Sequence, residues 1–240
     1  VYVDDVAIEA VGTVAMLTVH WFAAMRSLVS HFVALRLEFS GTKNTVIAAP
    51  NLLAHAAVAA IPEVALHARL TARSLGAGLG AGTRRCAFVA RSRLGAFAAR
   101  RGRFRLLARA GVSNARLLRT GGIAAMSYGT AVTGVASSAL GAQRRAAAAA
   151  LAPSSAGADL DLSLLVADGL AGHAADPAFA AHAEPIFSWA VAVWEGWLPH
   201  CAFSRLIANA KRRIAAAKRR WDVVQGPAAV VATALRIGWT

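Results

Sequence analysis

Asp4 and Asp5 are the residues of this chain whose type and spacing best suit chemistry. Two adjacent carboxylates offer the hard oxygen ligands that Mg²⁺ takes. Val1 and Val3 alternate with Tyr2, so the valines read as one face of a strand and Tyr2 as the other, with the acids arriving at a turn. The same residues also suit an ordinary hairpin, because Asp is common at turns.

A second chemical feature is a field of arginine. The formal net charge is +14 over 240 residues, and it is unevenly placed. Between Glu63 and Asp159 there is no acid, while the stretch holds fifteen Arg and no Lys. Its density peaks at Arg84, Arg85, Arg91, Arg93, Arg100, Arg101, Arg103, Arg105, Arg109, Arg116 and Arg119. Solvated faces usually mix signs, so a field of one sign points to a polyanion. The guanidinium fork matches phosphate in a bidentate way. Nucleic acid is the simplest such partner, held in a salt-dependent manner. A GC-rich coding bias is the alternative; it accounts for Arg over Lys but poorly for the missing acids.

Other candidates carry less. Gly76 to Gly82 formally matches a dinucleotide fingerprint, but no acid follows about 20 residues on, so a flexible hinge is expected there. Asp159 and Asp161 stand beside a linker without a His or Glu cluster and read as helix-start carboxylates. Trp189, Trp194 and Trp197 have the spacing of core residues, with base stacking as the alternative. Cys86 and Cys201 stand alone, with neither metal-type spacing nor a disulfide framework.

These groups need elements to position them. Val14, Leu17, Trp21, Met25, Leu28, Phe32 and Leu35 step by three or four and predict a helix. A loop holding Lys43 and a short strand, Thr45 to Ala49, come next. His67 to Gly76 reads as a strand ending in Leu75-Gly76. From Thr83 to about Ala110 a helix or helix pair carries the arginines, Ser113-Asn114 offers a cap, and Thr120-Gly121-Gly122 a turn. Ile123 to Leu140 suggests close helix packing and Ala146 to Ala152 a strong helix. Ser204 to Val224 is basic and amphipathic, suited to nucleic acid, a membrane surface or an acidic partner, with nucleic acid preferred. No uninterrupted apolar run reaches the roughly 18 residues of a membrane span, so no membrane is expected.

The order of the Asp-Asp box, helix, Lys43 loop and Leu75-Gly76 strand resembles reverse transcriptases, RNA-directed DNA polymerases, and most of all those of non-LTR, LINE-like retroelements. The likeness covers about the first 80 residues. The long, Ala-rich insert Pro50 to Pro62 departs from the pattern and unsettles the placement of the strand after it. The resemblance implies that Asp4 and Asp5 bind metal and act in catalysis, with two Mg²⁺ in the complete enzyme. One ion would activate the primer hydroxyl and the other would stabilise pyrophosphate. It places Lys43 near the incoming nucleotide's phosphates; a solvated turn lysine is the alternative. Leu75 and Gly76 become the primer grip, and the arginine helices a thumb along the duplex. Partners would be an RNA template, a DNA primer and deoxynucleotide triphosphates.

The expected fold is mainly α with a small α+β N-terminal part. In domains, 1–82 is the end of a palm, 83–152 an Arg-rich helical thumb, 153–158 a linker and 159–240 a helical region. The family's other metal-binding Asp and its fingers lie upstream of the box. The expectation is therefore a C-terminal fragment, inactive alone, acting in nucleus or cytoplasm and not secreted. The rival readings are a non-enzymatic Arg-rich nucleic-acid-binding protein and a degenerate retroelement remnant.

Overall fold

A computed structural model describes residues 6–82, 86–151, 157, 159–168, 175–197, 199–216 and 227–239. Asp4, Asp5, Arg84 and Arg85 lie outside the described residues, as do the expected 153–158 linker apart from Gly157 and the 217–224 end of the basic helix. The fold is mainly helical with small sheets. Its residues group into two compact units, one within Val1–Leu75 and Leu79–Cys86, the other within Gly76–Gly78 and Ala87–Thr240.

The first unit opens with a helix, α1, built from Val14–Met16, Leu17–Trp21 and Phe22–Ala34. Thr13 caps it, its Oγ1 accepting the Met16 N–H at 3.3 Å. The middle segment is π-wound. The predicted stripe residues Leu17, Trp21, Met25, Leu28 and Phe32 are half-buried, Leu17, Trp21 and Met25 against the core clusters of this unit. Phe22 and Val29 are the helix's most buried positions, while Val14 and Leu35, the ends of the predicted stripe, are exposed. Strand β1 (Thr45–Ile47) runs parallel to β2 (His67–Arg69), pairing Val46 with Ala68. Parallel neighbours require a crossover, and the Ala-rich insert supplies it as helix α2 (Asn51–Ala60). Leu53, Ala54 and Ala57 on α2 bury against Phe22 and Val46. A second cluster joins Val29, Ile61 and Val64.

The expected strand from His67 to Gly76 breaks at Leu70. β3 (Thr71–Ser74) begins beyond it and turns back into β4 (Ala77–Gly80). The expected hinge is thus largely a strand. Leu75 and Gly76 are the hairpin turn, at φ 46° and 79°. Positive φ at both central residues matches the right-handed twist of paired strands.

The second unit is helical. α3 (Phe88–Ala98) and α4 (Arg101–Arg109) form the expected pair. α5 comprises Ala115–Leu117, Leu118–Ile123 and Ala124–Ser127, so Thr120-Gly121-Gly122 is a π-wound part of a helix rather than a turn. Packing accounts for the glycine at 122: a Cβ there would lie 2.7 Å from Phe97 and 2.8 Å from Leu118. Glycine lets α3 approach here. α6 (Thr130–Thr133) and α7 (Ser137–Leu151) divide the expected run Ile123 to Leu140, with Gly129 and Gly134 at positive φ on either side of α6. α8 (Leu160–Asp168), α9 (Pro177–Trp194), α10 (His200–Ala216) and α11 (Pro227–Arg236) follow. The core joins Phe97 and Phe104 to Leu118, Met126 and Leu164 around the alanines of α7. Ala146, Ala147, Ala148 and Ala150 let neighbouring helices approach that helix closely. A smaller cluster seats Ala210 and Ile214 of α10 on Val231 and Ala232 of α11.

Candidate nucleic-acid interface

Helices α3 and α4 are held by Phe97 and Phe104, whose ring centroids are 5.4 Å apart. With those two side chains turned inward, the arginines between them turn out. Arg91, Arg100, Arg101, Arg103, Arg105 and Arg109 are all exposed. Arg101, Arg105 and Arg109 recur every four residues and so share one face of α4. Like charges at that spacing repel by a few tenths of a kcal/mol per pair, a cost an anionic partner removes.

Tertiary structure adds a residue that spacing did not single out. A groove of about 410 Å³ between α3–α4 and α7 is lined by Leu94, Ala98, Ala146 and Ala149, with Arg101 and Arg145 also contributing. Arg145 is exposed and far along the chain from Arg101. Small side chains in the groove and guanidinium groups from two helices suit a phosphate backbone laid along it. The Gln143-Arg144-Arg145 run was visible in the sequence, but which of its residues faces α4 depends on how α7 packs.

The neighbouring Arg144 does something else. Its Nε and Nη2 donate to both oxygens of Asp176, at 2.8–3.1 Å, and Nη2 also meets Asp161. The side chains of Arg144 and Asp176 are largely buried. The hydrogen bond to Asp176 chiefly holds the Arg144 pKa above its ordinary value, against the opposing effect of burial. Asp176 also caps α9, its Oδ1 accepting the Ala178 N–H at 2.8 Å ahead of Pro177. Arg144 thereby joins α7, α8 and the start of α9. Asp159 caps α8, accepting the Leu162 N–H at 2.9 Å, in keeping with a helix-start role.

Arg93 is likewise engaged within the protein. Nη1 donates to the Tyr128 carbonyl at 2.7 Å and Nη2 to the Gly76 carbonyl at 2.8 Å. Its guanidinium lies 4.6 Å from the centre of the Tyr128 ring. The Leu75-Gly76 turn is therefore clasped at its glycine. A Cβ on Gly76 would meet Arg93 at 2.9 Å and Tyr128 at 3.0 Å. Leu75 itself is exposed.

In the first unit, Lys43 sits in an exposed turn shaped by Ser40, whose hydroxyl accepts the N–H groups of Thr42 and Lys43. Asn44 donates to the Ser40 carbonyl, and His67 on β2 reaches the Gly41 carbonyl at 3.1 Å. The turn is thus anchored to the sheet with the lysine in solvent. Among the described residues no group of three His, Cys, Asp or Glu gathers to hold a metal, and no described helix is long and apolar enough to cross a membrane.

Two buried amides support this arrangement. Asn114 donates to the carbonyls of Phe104 and Ala150, each at 2.8 Å, and so ties the end of α4 to α7. Of the expected Ser113-Asn114 cap, Ser113 is the residue that accepts a helix-start N–H, that of Ala115 at 3.4 Å. Gln143 donates to the Met126 carbonyl at 3.0 Å.

Comparison of the chain with protein-family models, curated proteins and solved structures returned no match.

Proposed function

We propose that this chain is the palm-to-thumb portion of an RNA-directed DNA polymerase of the non-LTR retroelement type. In this reading its arginine helices hold the template–primer duplex. The observation that carries it is the exposed, acid-free arginine surface of α3–α4, following the Asp-Asp box, Lys43 turn and Leu75-Gly76 hairpin in sequence order. Asp4 and Asp5 would be two of the carboxylates that bind Mg²⁺, which supplies charge stabilisation for phosphoryl transfer. Lys43 would reach the nucleotide's phosphates from its solvent-facing turn. Leu75 and Gly76 would present the primer end from a hairpin whose Gly76 carbonyl accepts from Arg93. The remaining metal ligand and the nucleotide-covering fingers are assigned to other sequence of the same polypeptide.

The test is the coding sequence upstream of Val1 in the source transcript. The expected finding is a hydrophobic strand bearing an Asp, preceded by a basic region. Translation starting at Val1 would overturn the polymerase reading.

A second reading keeps the nucleic-acid contact and drops the catalysis. The arginine surface favours it, because that surface needs no metal. In a binding protein, Asp4→Asn with Asp5→Asn leaves nucleic-acid binding untouched and affects no metal site. In the polymerase reading, the same pair abolishes primer extension when introduced into the complete enzyme.

A further inference from the structure

An ordinary surface helix gives its large apolar side chains to the core. Helix α9 does the reverse. Its buried positions are Pro177, Ala181, Pro185 and Ala192, all proline or alanine. The helix packs on α5, α6, α7 and α11. Its large residues are outside: Phe179 is 56% exposed, Phe187 71% and Trp194 91%. With half-buried Ala183 and exposed Ala190 they follow one another at intervals of four, four, three and four residues. At 3.6 residues per turn these five positions share roughly 80° of arc, on the side away from the buried ones.

The expected core role therefore fails for Trp194. It fails also for Trp197, which is 64% exposed beyond Gly196, a residue at φ 66°. Trp189 is half-buried and stands edge-on to Phe203, with centroids 4.8 Å apart, so it keeps that role in part. The outer stripe is also uncharged. α9 contains no Lys or Arg. Its one acid, Glu184, turns to the buried hydroxyls of the unit: Oε2 accepts from Thr130 at 2.6 Å and Oε1 from Ser127 at 3.4 Å.

A stripe without a cation suits neither phosphates nor anionic headgroups, which Lys and Arg attract. A second apolar helix suits it, and the order of sizes is self-complementary. Along the stripe large and small residues alternate: Phe179, Ala183, Phe187, Ala190, Trp194. A two-fold axis crossing between Phe187 and Ala190 would lay two copies of α9 antiparallel. Phe187 of each copy would then meet Ala190 of the other, and Trp194 would meet Ala183. Large opposite small is the arrangement that packs facing helices without voids, and a two-fold contact closes on itself. The area is adequate. A fully covered aromatic buries roughly 150–250 Å², so at these exposures the three rings offer on the order of 450 Å² per copy. Two copies cover about 900 Å² before the alanines and the rim are added, near the threshold of about 1,000 Å² for a specific interface.

We propose that the outer stripe of α9 is a dimer interface, covered by the same stripe of a second copy of this chain in antiparallel, two-fold pairing. The experiment is sedimentation velocity of the full chain, without nucleic acid, over a concentration series. The expected species is a dimer of twice 24.8 kDa. Phe187→Glu sets two like charges beside the axis and should raise the dimer dissociation constant at least about thirtyfold. Its circular dichroism should be unchanged, because the replaced ring is exposed. Phe187→Ala should weaken the dimer about tenfold. Adding Ala190→Phe should recover most of that loss, because the exchange restores large opposite small. A chain that stays monomeric up to about 100 μM would overturn the proposal, whether the stripe then bound lipid vesicles or another protein. So would a dimer that Phe187→Glu leaves intact, which would place the contact elsewhere. A dimer weakened by Phe187→Ala and not recovered by the exchange would overturn the two-fold pairing.

Discussion

The α3–α4 pair and the α7–α9 layer both draw arginines from the acid-free stretch of the chain, yet they put them to opposite uses. On α4, Arg101, Arg105 and Arg109 share an exposed face. On α7, Arg144 is enclosed by Asp161 and Asp176, which enter from beyond the acid-free stretch. A single step along the chain decides the matter: Arg145, next to Arg144, faces the α4 groove instead. A run of like charge along a sequence is therefore not yet a surface. Which cations remain available depends on which carboxylates and carbonyls the fold brings to them. Arg93, at the carbonyls of Gly76 and Tyr128, and Arg236, at the Val135 carbonyl, belong with Arg144 on the structural side.

The largest effect that would sharpen this contrast is expected at Arg144. Arg144→Ala leaves Asp176 largely buried without its cation, and should cost about 2–3 kcal/mol, somewhat below a fully buried pair. In a chain of this size that lowers Tm by roughly 5–10 °C. The salt dependence of nucleic-acid binding should stay as it was. A large change in salt slope with unaltered Tm would break the comparison by making Arg144 a phosphate ligand.

Arg93→Ala should come next, at about 1.5–2 kcal/mol, because the variant forgoes two charge-assisted hydrogen bonds and a cation–π interaction. Hydrogen exchange at the β3–β4 turn is the direct readout, and protection there should fall. Unchanged protection would mean that the hairpin holds its turn without the clasp.

The smallest effect on stability is expected on α4. Replacing Arg101, Arg105 and Arg109 by Gln should leave unfolding free energy within about 0.5 kcal/mol per site. The slope of log K against log salt for duplex binding should shallow by about 0.9 for each phosphate that α4 no longer neutralises. An unchanged slope would remove α4 from the interface.

Much of the fold was legible in the sequence where periodicity was strong. The α1 span and the α3–α4 pair lie close to the predicted ones, and α10 covers the described part of the expected basic helix, because a helix with one apolar face repeats that face every three to four residues. What escaped has specific causes. The π winding at Leu17–Trp21 has no signature in residue type or spacing, nor does the deeper burial of Phe22 and Val29 beside the predicted stripe. Gly121-Gly122 looks like a turn and is helix, and Gly122 is glycine there because Phe97 occupies the space a Cβ would fill. The Gly76–Gly82 run looks like a hinge, yet Ala77–Gly80 pairs as a strand and its turn is clasped by Arg93. Trp194 and Trp197 have core spacing, but α9 ends between them, and spacing carries that meaning only while a helix continues.

The sequence by itself determined the mainly helical class and the exclusion of acids from the arginine stretch. Each of these depends on residue type or on short-range periodicity. Only the tertiary structure decided which arginines the fold engages, that Arg145 joins Arg101, and that two tryptophans remain in water. Those outcomes rest on interactions between residues far apart in the chain, such as Arg144 with Asp176 or Arg93 with Gly76. No local pattern records them, because each is settled by how whole helices pack.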